Sequence, residues 1–199
     1  MTIEKNTFYT IIPGSSVPGD WFAGKIPGNI EVGKNSVIDS SFCFQYFFST
    51  LPTALKIGDH VTFWRTSISS DESAYISIGD FCYIANASIV CSEQISIGNY
   101  VFIAGGVTIA DSDFHPITPA ARLADTIALS PVGDRRKRPV IRSAPVTIED
   151  HVWIGPNAAI MKGVHVGEGA VIQPGSVVLE NVAPGAVVAG NPAKKVSDL

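Results

Sequence analysis

One stretch of the chain gathers several groups able to move protons. In ADSDFHP, from Ala110 to Pro116, His115 follows Asp111 and Asp113. An imidazole titrates near neutrality and suits the removal of a proton from a reacting group. A neighbouring carboxylate can hold the ring in one tautomer, or can simply cap a turn, and Asp113 is open to both roles. Upstream, Asn86 in YIANAS can both donate and accept hydrogen bonds. Downstream, DRRKRPVIR concentrates positive charge from Arg135 to Arg138, with Arg142 close behind. Such a run suits solvent, an anionic acceptor or a phosphate.

What must position these groups is a repeat. An aliphatic slot recurs every sixth residue: Val32, Ile38, Phe44; Ile57, Phe63, Ser69; Ile78, Ile84, Val90; Ile97, Ile103, Ile109; Ile148, Ile154, Ile160; Val166, Ile172, Val178. All but Phe44, Phe63 and Ser69 are Ile or Val. Four positions after a slot the residue is usually small, as in Ser36, Val61, Ser88, Val107, Ala158 and Ser176. A period of six fits neither a helix nor a long alternating strand, but it fits short strands joined by tight turns. Three strands per coil predict an all-β parallel β-helix of about six triangular coils. Departures from six fall between triplets, at one edge of the prism, where they leave the other edges stacked. The largest follows Ile109: the next slot falls on His115, and the rhythm resumes only at Ile148. A loop of that length in a compact domain is usually functional or disordered.

The expected organisation is an N-terminal segment over 1-31, a β-helix over 32-182 interrupted by a loop at 115-147, and a C-terminal tail over 183-199. With 46% hydrophobic and 16% charged residues, 18 Gly and 13 Pro, long helices have little to build on. A net charge of -4 gives no general attraction to nucleic acid, and the basic run lacks interleaved aromatics. GEGAVI, from Gly167, lacks the third glycine and the following helix of a dinucleotide loop. No apolar run is long enough to span a membrane, and the first twenty residues do not read as an export signal. Cys43, Cys82 and Cys91 are odd in number and lack CxxC spacing, which predicts reduced, buried residues of a cytoplasmic protein.

The segment VTIEDHVWIGPNAAIMKGVHVGEGAVIQPGSVVLENVAPGAVVAGNPAKKV, from Val146 to Val196, resembles the hexapeptide-repeat acyltransferases, in particular their galactoside, maltose and polysaccharide O-acetyltransferase branch. That resemblance, which covers about residues 76 to 196, implies a left-handed β-helix, a homotrimer and acetyl-CoA held between neighbouring subunits. It implies that His115 is the catalytic base and that Asn86 contacts the acceptor, a sugar or glycan. Asp113 is carried as a further substrate-side residue. On the cofactor side the resemblance implies Trp153 against the pantetheine arm or acetyl end, Gly155, Pro174 and Gly175 along its groove, and Lys194 and Lys195 near the phosphates. No metal is required. The loop from Ile117 to Pro145 and the opening SVPGDWFAG diverge from the family pattern, so the acceptor is not specified.

Three other functions are carried as expectations to be weighed: N-acetylation of a nucleotide-linked amino sugar, a γ-carbonic-anhydrase-like zinc enzyme, and a non-catalytic trimeric subunit. The zinc site needs three convergent histidines. The chain has only His60, His115, His151 and His165, with no second histidine beside His115.

Overall fold

The computed structural model describes residues 7–199; the first six residues of the expected N-terminal segment lie outside the described residues. From Ile30 to Val178 the chain winds through six coils whose strands stack into three parallel sheets, a left-handed parallel β-helix. In the fourth coil the strands are Gln94–Ile97, Phe102–Ile103 and Thr108–Ala110, one on each face of the prism. Stacking is in register. Ile57, Ile78, Ile97, Ile148 and Val166 align on the first face, and Ile38, Phe63, Ile84, Ile103, Ile154 and Ile172 on the second. Each points inward because alternate residues of a strand face opposite sides, and almost all are removed from solvent. These aliphatic columns form the continuous core.

On the third face the slots differ from the six-beat in two coils. Ile68 and Ile89, not Ser69 and Val90, align with Ile109, Ile160 and Val178. The second corner, between second and third faces, is one residue shorter there. Its left-handed residue comes two positions after the buried Phe63 or Ile84, at Arg65 (φ 51°) and Asn86 (φ 46°). In later coils it comes three positions after, at Gly106, Asn157 and Gly175. One consequence is that Ala87, rather than Ser88, takes the small inward place. In the first coil the third strand is replaced by a short 3-10 helix, Ser41–Phe44, capped by Ser40 and held by Asp20.

The first corner is bound by a ladder of polar side chains. Asp59 accepts from Lys34 N–H, Asp80 from Asp59 N–H, Asn99 from Asp80 N–H and Asp150 from Asn99 N–H, at 2.7 to 2.8 Å. Glycine precedes this ladder because a side chain would collide with it: a Cβ on Gly98 would lie 2.3 Å from Asp150 Oδ1 and 2.8 Å from its backbone nitrogen. Gly98→Ala is therefore expected to destabilise the protein by about 1–3 kcal/mol through overpacking, read as a lower midpoint in urea. Next to the ladder, His60, Phe81, Tyr100 and His151 stack one above another with ring centroids 4.7, 5.6 and 4.8 Å apart.

Both ends of the second face are closed. Tyr9–Thr10 pairs antiparallel with Val37–Ile38. At the other end the tail forms a hairpin: Ala186–Gly190 extends the sheet in parallel, and Ala193–Asp198 folds back on it. Covering a sheet edge in this way blocks edge-to-edge association. Cys43, Cys82 and Cys91 are free and buried; burial raises all three thiol pKa values, that of Cys82 to about 11. Among the described residues no helix is long and apolar enough to cross a membrane.

The long loop is not without helix, contrary to what the composition predicts. Pro119–Leu129 forms helix α1, entered through Thr118, whose side chain accepts from Ala121 N–H. Local sequence overrides the average here: a capping Thr, a Pro at the first turn and an Ala- and Leu-rich run favour a helix even in a β-rich chain.

Candidate functional site

The loop leaves and returns through a narrow neck at the third corner, where the third face passes to the first face of the next coil. Asp113 N–H donates to the Arg142 carbonyl at 3.0 Å, Ala144 N–H to the Asp111 carbonyl at 2.8 Å, and Ser112 bridges Ser143. The Asp111 carboxylate is fully buried and accepts from the backbone N–H groups of Ser92, Glu93 and Gln94 at 2.6 to 2.8 Å. It ties the neck to the preceding corner, a turn-capping role. Phe114, at φ 60°, then swings the chain outward and leaves His115 just beyond the neck.

The carboxylate that reaches the imidazole is Asp125, not Asp113. Asp113 is drawn away into an ion pair with Lys162. Asp125, on the inner side of α1 and only 1% exposed, lies 2.7 Å from His115 Nδ1. Arg138 Nε donates to the other carboxylate oxygen at 2.7 Å, and its terminal nitrogen donates to the Phe114 carbonyl at 3.1 Å. The hydrogen bond from Arg138, followed by that from His115, holds the Asp125 carboxyl below its ordinary value. An ionised carboxylate can only accept, so Nδ1 carries the hydrogen, and in the neutral ring Nε2 keeps its lone pair. The ring remains open to solvent, with 59% of the side chain exposed. His115 thus lines a cavity of about 340 Å³, where a neutral imidazole held in this way can accept a proton.

The depressed Asp125 pKa links this geometry to pH. A carboxylate whose folded pKa lies below its unfolded value, here near 3.8, stabilises the fold above that value and loses the contribution as pH falls through the folded pKa. Hydrogen-exchange protection of α1 and of residues 134–138 should hold at pH 6 and fall selectively below about pH 4, while the coils stay protected.

Asn86 sits on the second corner. Its N–H donates to the Trp64 carbonyl at 2.6 Å, and its own carbonyl accepts from Gly106 N–H at 2.7 Å. It lines a separate cavity of about 640 Å³ with Trp21, Trp64, Arg65 and Asp39. Gly155, Pro174 and Gly175 stack along the same corner, and Gly175 N–H donates to the Pro156 carbonyl. Trp153 points outward on the second face, in register with Phe102 and Val171, and is 36% exposed. Lys194 and Lys195 lie on the returning strand of the C-terminal hairpin, paired with Glu180 at 2.9 Å and Asp198 at 2.7 Å.

The second-corner residues are thereby brought together, but His115 is not among them. The third-face strand separates Asn86 from the third corner, roughly five residues or about 17 Å of extended chain. Asp125 and Arg138 were not singled out individually from the sequence; the signals were a lone acid within the helix-forming run ARLADTIAL and the last residue of the basic cluster. Among the described residues no group of three or more His, Cys, Asp or Glu is placed to hold a metal ion.

Residues 145–180 match the family described as bacterial transferase hexapeptide, six repeats. Over that segment the chain carries the hexapeptide repeat of this family. It is 37% identical over 128 residues to a Saccharomyces cerevisiae protein provisionally named acetyltransferase YJL218W, an alignment covering 63% of this chain and 57% of that one. The chain thus spans little more than half the length of that relative. Its fold is similar to that of AntD, an N-acyltransferase from Bacillus cereus solved with dTDP and coenzyme A, with a TM-score of 0.64 at 20% identity over 84% of this chain and 83% of that one. It is also similar to the polysialic acid O-acetyltransferase OatWY, with a TM-score of 0.60 at 26% identity over 87% and 70% of the two chains.

Proposed function

We propose that this protein is an acetyl-CoA-dependent acetyltransferase of the galactoside, maltose and polysaccharide branch, acting on a hydroxyl of a sugar or glycan with His115 as general base. The observation that carries the reading is the Asp125–His115 contact, buttressed by Arg138, which leaves Nε2 free at a cavity wall. Acetyl-CoA would supply the acetyl group as a thioester. As the acceptor oxygen attacks the thioester carbonyl, Nε2 takes its proton, and the imidazolium is stabilised by Asp125. When the tetrahedral intermediate collapses, the C–S bond breaks and the proton passes from Nε2 to the departing thiolate.

The second corner has features that suit the donor. A Cβ on Gly175 would have nothing within 4 Å, so the backbone there is open to close approach. The exposed Trp153 indole offers a flat apolar face to a pantetheine arm. The Lys194 and Lys195 pairs are solvent-exposed, so exchanging a carboxylate for a phosphate costs little. Because His115 and Asn86 lie on different corners, we read the working site as formed between chains of a homotrimer, His115 from one and Asn86 from its neighbour. The three buried, free thiols support a reducing, cytoplasmic compartment.

N-acetylation of an amino sugar is the second reading, supported by the likeness in fold to AntD, since an amine also surrenders a proton to Nε2. Initial rates with acetyl-CoA and paired hydroxyl and amino pyranosides separate the two. Transfer to neither, by protein shown to be folded, would remove both.

A further inference from the structure

The arginines of the basic run divide in their partners. Arg138 is committed to Asp125 and to the Phe114 carbonyl, and Arg136 pairs with Asp134 at 2.9 Å. Arg135 is exposed and makes no ion pair among the described residues. It lines the 340 Å³ cavity that contains His115 and also an adjoining cavity of about 720 Å³, the two sharing Phe48, Asp71, Ser92 and Arg138. Tyr46 and Phe48, each 48% exposed, form an aromatic wall. Asp71, and Glu72 in the larger cavity, place negative charge among the lining groups.

We propose that the two cavities are one acceptor groove, and that Arg135 recognises an anionic group, carboxylate or phosphate, carried by the acceptor away from its acetylated position. This rests on the acetyl-transfer reading and adds the class of acceptor to it. A guanidinium without a carboxylate partner, set in a concave wall, can bind an oxyanion through two parallel N–H donors. Asp71 and Glu72 repel an anion placed against them, so the charge is directed to Arg135. The acceptor ring lies along Tyr46 and Phe48, and its reacting hydroxyl or amine is presented to Nε2 of His115.

The test compares wild type, Arg135→Ala and Arg135→Lys against three acceptors: a carboxylated pyranoside, its neutral methyl ester and a nucleoside-diphosphate sugar. Binding is measured by calorimetry without acetyl-CoA, and transfer by initial rates with it. Arg135→Ala should weaken the better anionic acceptor about tenfold or more, leave the neutral ester and the KM for acetyl-CoA within twofold, and recover in part as Lys. Whichever anionic acceptor shows the loss identifies the source of the charge. Equal affinity of wild type for charged and neutral acceptors, or a rise in the KM for acetyl-CoA alone, would overturn the proposal. Binding that depends on Arg135 without transfer to any acceptor would uphold the groove and remove the acetyl-transfer reading instead.

Discussion

Replacing His115 by alanine should lower acetyl transfer by about 10²–10⁴-fold, the range set by loss of a general base, while the protein folds and assembles as before. The two halves of this expectation have separate structural grounds. His115 lies beyond the neck of the loop, its ring largely in solvent, and it belongs to none of the aliphatic columns that form the core. Asp125 keeps its bond to Arg138 when the imidazole is removed, so no buried carboxylate is stranded. The change in stability should stay within about 0.5 kcal/mol, as for a surface substitution away from special features. Initial rates, thermal melting and molecular mass in solution measure all three quantities. Wild-type turnover in the variant would mean that another group takes the proton.

The second large effect concerns Asp125, which holds His115 and touches no acceptor. Asp125→Asn preserves size and can still accept from Arg138, so the loop should stay folded. The amide nitrogen, however, is a donor, and facing Nδ1 it favours the tautomer whose hydrogen is on Nε2. That tautomer cannot accept a proton from the acceptor, and the rate should fall by about 10²–10⁴-fold, a change of the kind seen when a triad carboxylate becomes an amide. Asp125→Ala should lose a similar factor in rate and also destabilise α1, because Arg138 loses its charged partner; about 1–3 kcal/mol is expected for a group left unsatisfied. A purely structural role for Asp125 predicts instead that the two variants part, with Ala damaging activity and Asn nearly wild type. The comparison of kcat between these variants, with imidazole nitrogen chemical shifts to report the tautomer, decides between the two roles.

The fold was legible because its core repeats. A buried aliphatic column needs the same residue type at each coil, so the triplets from Ile78 to Val178 announced themselves, and the departures between triplets marked the third corner. The slip at Ile89 was hidden because Val90 suits the six-beat, while the serine in slot 69 was an outward sign of the slip at Ile68; the shortening itself depends on Arg65 and Asn86 adopting a left-handed turn that residue type alone does not demand. Helix α1 was hidden by composition, an average to which a single inserted run contributes little.

The site was legible in the same uneven way. His115 stood out by interrupting the beat, whereas the placing of Asn86 on a different corner came only with the structure. Asp125 carried no comparable signal. It lies in an insertion with no period, and its role comes from a contact across the loop with Arg138 and His115 that spacing does not specify. Asp113, closer in sequence, is drawn instead to Lys162 of the next coil.

The central claim is that one working site joins His115 of one chain to Asn86 of another in catalysing acetyl transfer. It is tested most directly by co-assembling two inactive variants, His115→Ala and Asn86→Gly, the glycine chosen because position 86 has positive φ. In randomly mixed trimers about a quarter of the sites combine an intact His115 with an intact Asn86 from the neighbour, and activity should recover to about that fraction of wild type. Mixed assemblies, verified by differential tagging, that remain as inactive as either parent would contradict the claim.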